Sequence, residues 1–199
     1  MRERLQAAMQ QNMAVQQIIL SDESLLQIID QVAAVMVQTF RRDGKILFCG
    51  NGGSAADAQH LAAELSGRYY FDRAPLFAEA LHVNTSYLTA VANDYGYEAA
   101  YGRLVRAMGR PGDLLVAMST SGNSPNVITA AQAAINIGMT VVGMTGQAGG
   151  KLREICDFTV RVPSTDTPRI QEMHMLIGHT WCETVEATLF KPPGSDAAI

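Results

Sequence analysis

Apolar residues recur at helical spacing early in the chain and then change period. Residues 2–19 carry Leu5, Met9 and a run from Val15 to Leu20 among glutamines, which predicts a helix. Residues 23–41 set Leu25, Ile28, Ile29, Val32, Val35, Met36 and Phe40 at helical spacing, a second helix. It starts afresh after Ser21-Asp22-Glu23 and ends on Arg41-Arg42-Asp43-Gly44. From residue 45 the apolar residues come in short unbroken runs bounded by Gly, Ser and Pro. Residues 46–49, 114–118, 140–145 and 158–162 read as buried strands, and 78–83 as a shorter one. Helices are expected after Ser54, over 85–92, 97–108, 125–138, briefly within 149–156, and from Thr167 to about Phe190. Residues 68–75 form a polar and aromatic connection, 93–96 and 110–113 are turns by composition, and 191–199 have the composition of a tail. Strand and helix alternate, so the fold class is α/β, a doubly wound parallel sheet flanked by helices. One domain spans 1–190, with a helical pair over about 2–41 ahead of a sheet unit over 45–190.

The totals remove whole classes of function. A length of 199 residues suffices for one α/β domain with a full core. The net charge is −4 and no basic block occurs, so no nucleic-acid partner is expected. The longest apolar runs fall well short of a bilayer span, so no membrane role is expected, and the opening MRERLQAAMQQ has no apolar signal core. Cysteines stand at 49, 156 and 182 with no paired spacing, which points to a reducing compartment and a cytoplasmic location.

The chemistry gathers behind the first strand. Ile46-Leu47-Phe48-Cys49 breaks at Gly50-Asn51-Gly52-Gly53, a turn that lets a ligand approach the main chain. Ser54 reads as the N-cap of the next helix, with Asp57 completing a capping box. Strand, glycine turn and helix N-terminus together present free N–H groups to an anion or polar ligand. The same glycines match a dinucleotide fingerprint, but Gly67-Arg68-Tyr69-Tyr70-Phe71 makes a poor second strand before Asp72. His60 and Glu64, four apart on the helix, share a face and could hold a metal or move a proton, or simply form a surface pair. The strand over 114–118 ends in Ser119-Thr120-Ser121-Gly122-Asn123-Ser124-Pro125, with Ser124 as N-cap and Pro125 opening the helix. Its hydroxyls make a cradle for a phosphate monoester, at the same sheet edge as the glycine turn. In the last helix, Gln171 and His179 are eight apart and could reach one point, while His174 lies about 140° from His179. Spacing alone does not choose between the two histidines.

Taken together, GNGGSAADAQHLAAELSGRY, VANDYGYE, STSGNSPNVI, TGQAGGKL and RIQEMHMLIGH resemble the sugar isomerase (SIS) family, in its phosphoheptose isomerase branch, from about residue 3 to 190. The resemblance implies an aldose–ketose isomerase that converts sedoheptulose 7-phosphate to D-glycero-D-manno-heptose 7-phosphate for surface polysaccharide. It implies a homotetramer with active sites between subunits. It implies one zinc per subunit held by His60, Glu64, Gln171 and His179, with Glu64 as general base and His179 as acid. Substrate contacts implied in the same way are Asn51, Gly52, Gly53, Ser54, Glu64, Asn93, Asp94, Ser119, Thr120, Ser121, Ser124 and Gln171. One departure stands out. Some members carry an aspartate just before the arginine of RIQE; here that place is Pro168, and the nearest acid is Asp166. Two rivals share much of the pattern: a non-catalytic SIS relative that binds the replication initiator, and a SIS isomerase for another sugar phosphate. The first lacks the residues matching Glu64 and His179, which this chain has.

Overall fold

The computed structural model describes residues 1–191. Two helices, α1 (Arg2–Ser21) and α2 (Glu23–Arg41), lead into β1 (Ile46–Cys49) and α3 (Gly53–Ser66). Then come β2 (Ala78–Ala80), α4 (Thr85–Tyr95), a 3-10 turn (Tyr97–Ala99) and α5 (Ala100–Met108). The chain continues through β3 (Leu114–Met118), α6 (Pro125–Ile137), β4 (Thr140–Thr145), α7 (Leu152–Ile155), β5 (Phe158–Arg161) and α8 (Thr167–Leu189). Of the expected tail, all but Lys191 lies outside the described residues.

The five strands form one parallel sheet in the order β2-β1-β3-β4-β5. Both faces are covered, so the strands read as continuous apolar runs rather than alternating ones. Ile46, Phe48, Leu114, Val116 and Met118 face α2, α3 and α8; Leu47, Cys49, Leu115 and Ala117 face α4 to α7. The chain leaves β1 towards β2 on one side and returns to β3 on the other. This reversal opens a crevice beyond the carboxyl ends of β1 and β3, where open α/β sheets bind ligands.

Local chemistry explains most element ends. Asp22 caps α2, its carboxylate accepting the Leu25 N–H at 3.1 Å. Pro125 opens α6, and Gly138 closes it in the left-handed conformation. The indole N–H of Trp181 donates to the carbonyl of Ile29 at 2.9 Å, tying α8 to α2 across the buried face.

Three expectations need correction. Ser54 is not the N-cap of α3. Gly52 adopts φ 57° and ψ −121°, backbone open essentially to glycine alone, and this starts the helix at Gly53. Ser54 is thereby buried, and Asp57 forms no capping box: one of its carboxylate oxygens is buried without a hydrogen-bond partner. Burial pushes its pKa up to about 6, with the nearby His60 pulling the other way. The turn expected over 93–96 is still helix through Tyr95, and α4 stops only where Gly96 takes φ 83°. The second strand is three residues, not six. The expected first helix is present, and it spends little of its apolar surface on this chain. Only Val15 and Ile19 are buried, while Leu5, Met9, Met13, Ile18 and Leu20 stay half or more exposed.

Candidate active site

Helices α3 and α8 pack side by side and run the same way, so residues in α3 meet residues about 118 further on. Gly53 lies against Gln171, Leu61 against Gly178, and His60 against His179. The close approach depends on Gly178, where any side chain would come within 2.5 Å of Leu61. Three candidates converge on this seam. The Nε2 atoms of His60 and His179 are 3.0 Å apart, and Nε2 of His60 is 3.2 Å from a carboxylate oxygen of Glu64. One ligand atom from each side chain lies within 4.8 Å of the others. Two imidazole nitrogens and a carboxylate oxygen at such distances bring lone pairs together, which is stable only with a proton or a cation between them. Two histidines and a glutamate are also a donor set that zinc takes in catalytic centres, so the residues present fit the metal.

Gln171 lies elsewhere on α8. Its amide donates to Ser54 Oγ at 3.4 Å and rests on Gly53, at the glycine turn. Eight residues separate it from His179, about 12 Å along the helix axis. His174 is a core residue: fully buried, with Nε2 3.2 Å from the Thr145 carbonyl oxygen. The geometry therefore places His179, and not His174, beside the His60–Glu64 pair.

At the crevice, Asn51 is occupied by its own protein. It exchanges hydrogen bonds with Asn126, 2.8 Å in each direction, and its oxygen accepts from the Tyr97 hydroxyl at 3.0 Å. The Tyr101 hydroxyl donates to the Gly50 carbonyl at 2.7 Å. Burial and the Tyr97 hydroxyl push the Tyr101 pKa upward, so it remains a phenol and a donor. The Asn51 side chain thus holds the turn in shape. Sequence reading missed Tyr97, Tyr101 and Asn126. Two tyrosines four apart, hence on one helical face, were the available signal.

In the second loop, the Ser119 hydroxyl lies 2.9 Å from Ser124 Oγ and 3.4 Å from Ser121 Oγ, and Ser121 Oγ accepts the Asn123 N–H at 3.1 Å. Ser124 is the N-cap residue of α6 by position, but its side chain serves Ser119 instead of the helix. Thr120 and Ser121 border a cavity of about 210 Å³ whose other walls include Ser164, Thr165 and Ile170. No Lys or Arg lines it, so hydroxyls and N–H groups are the donors it offers an anion. Asn93 and Asp94 are exposed at the end of α4; among the described residues their side chains hydrogen-bond only to each other, at 2.9 Å.

The family profile described as SIS domain matches residues 12–146. The phosphoheptose isomerase of Rhodospirillum rubrum is 58% identical over 161 residues, covering 81% of this chain and 86% of that protein. That of Aneurinibacillus thermoaerophilus is 47% identical over 191 residues, 96% of each. Among solved structures, phosphoheptose isomerase from Neisseria gonorrhoeae superposes with a TM-score of 0.87 at 44% identity, covering 94% of this chain and 98% of that one. The Francisella tularensis phosphoheptose isomerase gives 0.89 at 33% identity, covering 93% and 97%.

Proposed function

The chain belongs to the SIS-domain family, among its phosphoheptose isomerases, and from that premise we propose that it converts sedoheptulose 7-phosphate to D-glycero-D-manno-heptose 7-phosphate. The enzyme class is aldose–ketose isomerase. The observation that carries the proposal is the convergence of His60, Glu64 and His179 on one seam, apart from a hydroxyl-lined cavity suited to phosphate.

Isomerisation moves a proton between adjacent carbons through an enediol. The Glu64 carboxylate takes the proton from C1 of the ketose, and His179 gives one to the C2 oxygen. The C1 hydroxyl then gives up its proton as C2 regains one, which leaves the aldose. Positioned acid–base groups of this kind accelerate such steps by about 10²–10⁴. Zinc, one per subunit, would be held by His60, Glu64 and His179 and would supply Lewis-acid stabilisation of the negative oxygens. Gln171, about 12 Å along α8 from His179 and bonded at 3.4 Å to Ser54, stands apart from these three and serves the substrate at the glycine turn. Phosphate sits against Ser119, Thr120, Ser121 and Ser124, with backbone N–H groups of Gly52 and Gly53 facing the sugar and Asn93 and Asp94 binding its hydroxyls.

Assembly belongs to the same reading. The exposed apolar residues of α1, and a His60 side chain still 49% exposed, fit a homotetramer whose subunits cover one another's sites. Three free cysteines fit a reducing cytoplasm, where the product would feed surface polysaccharide.

The test is incubation with sedoheptulose 7-phosphate and with shorter ketose phosphates, each with and without chelator. The seven-carbon substrate should turn over fastest, and chelation should abolish turnover until zinc is restored. Full activity in rigorously metal-free protein, or preference for a shorter sugar, would overturn the mechanism or the substrate respectively.

A further inference from the structure

The polar pair Arg73–Glu186 lies outside the candidate site, and both side chains are 98% buried, each exposing only 2%. Nε of Arg73 donates to Glu186 at 3.1 Å. The rest of the guanidinium donates to four carbonyls: Glu64 at 2.9 Å, Leu65 at 2.8 Å, and Gly67 and Ala74 at 3.0 Å each. Glu186 in turn accepts the N–H of Tyr69 at 2.8 Å and of Tyr70 at 2.6 Å. Burial alone would raise the Glu186 pKa, but the Tyr70 and Tyr69 N–H groups and Arg73 outweigh it, so the carboxyl lies below its ordinary value. The ring of Phe190 stacks 5.3 Å from the guanidinium carbon.

A buried ion pair is a poor device for stability alone, because apolar residues of like volume do as well or better. This one is spent on six backbone groups. The carbonyls of Glu64 and Leu65 belong to the last turn of α3, which has no intrahelical donors, and a cation there also suits the helix dipole. The Tyr69 N–H places a ring whose centroid is 5.9 Å from that of His179. Glu186 stands seven residues after His179, so both lie on nearly the same face of α8.

We propose that Arg73 and Glu186 are positioning residues for the proton-transfer site: they fix the backbone of Glu64 and the Tyr69 ring against His179. The proposal rests on the isomerase reading above. Outer groups that orient ligands typically govern metal affinity or activity by 10–100-fold, and that is the effect expected here.

Arg73→Lys and Glu186→Gln, made in the full chain, should weaken zinc binding by about tenfold or more in a competition with a chromophoric chelator. They should lower kcat by about 10–100-fold while leaving KM within about twofold, because the phosphate cradle is untouched. Val185→Ala, a core truncation beside Glu186, serves as the control for lost stability and should change neither quantity by more than about twofold. A third readout needs neither metal nor turnover. In metal-free protein with isotope-labelled histidine, the His179 ring resonance should move in both pair variants and in Tyr69→Leu, which leaves the ion pair in place, but not in Val185→Ala. An unmoved His179 signal in the pair variants, or equal losses in Val185→Ala, overturns the proposal. If wild type neither isomerises nor binds zinc while the His179 signal still moves, the isomerase reading falls and the positioning stands.

Discussion

Replacing His174 with glutamine should flatten the acid side of the stability curve. His174 is fully buried on α8, with Thr145 as its partner at Nε2 and none at Nδ1. Burial disfavours the charged ring and lowers its pKa from 6.5 to about 4, opposed by the Thr145 carbonyl. The unfolded chain therefore takes up a proton near pH 6.5, and the folded chain only near pH 4. Between those values the unfolded state binds more protons, so stability is lost as pH falls through that window. Each pH unit is worth about 1.36 kcal/mol, so the whole window removes on the order of 3 kcal/mol. That is a large part of a typical stability of about 5–15 kcal/mol.

Equilibrium urea unfolding at one protein concentration, with chelator present, measures it from about pH 8 to 4.5. Fixed concentration and metal removal keep assembly and ligation out of the comparison. Other titrating groups, Asp57 among them, act alike in both proteins and cancel in the difference. The gap between variant and wild type should be constant above pH 7. It should then shift in favour of the variant by about 2–3 kcal/mol by pH 4.5. Parallel curves would show that His174 is not held neutral by burial.

Two further outcomes follow from the site. Glu64→Gln should slow exchange of the substrate's carbon-bound hydrogen with deuterated water by about 10²–10⁴ and reduce metal content less, since its amide oxygen remains; exchange at the wild-type rate would move the base elsewhere. If the proposed tetramer forms through α1, Met9→Lys with Met13→Lys, at positions 58% and 66% exposed, should leave circular dichroism unchanged but shift sedimentation towards smaller species; a variant that sediments like wild type would clear α1 of that role.

What the sequence disclosed depended on how local the cause was. The strands β1, β3 and β4 are unbroken apolar runs between glycine, serine and proline, and such runs have few other readings. The strand expected from Ala78 exists as β2 but is three residues shorter; with Glu79 between two alanines nothing in the pattern marks its end, and its pairing with β1 is a tertiary fact. At the end of α4, Asn93 and Asp94 suggested a turn by type, but their weak helix propensity costs at most about 0.7 kcal/mol each, too little to end the helix before the Gly96 stop. Ser54 misled for a different reason. Its capping chemistry was real in kind, but the chain had already entered the helix, because Gly52 turns where no other residue turns easily. The Arg73–Glu186 pair left one trace: a glutamate next to Val185 in the buried stripe of α8 formed by Ile177, Trp181 and Cys182.

The site itself joins a local fact to a distant one. His60 and Glu64 share a face by spacing, but nothing in the spacing brings His179 to them. That requires α3 and α8 to run parallel in contact, which Gly178 permits and the common origin of both helices at the sheet's carboxyl edge enforces. The consequence reaches the substrate. Both helices begin beside the loops: Gly53 opens α3, and Ile170 near the start of α8 borders the Thr120 cavity. His179 follows Ile170 by nine residues, about 13 Å along the axis. In the proposed reading, the distance from the Thr120 cavity to His179 would therefore be set largely by the rise of α8. If the proposed roles hold, a rigid spacing of this kind would favour a long open-chain sugar phosphate over a short one, because a short one could not hold its phosphate in the cradle and its carbonyl at Glu64 together.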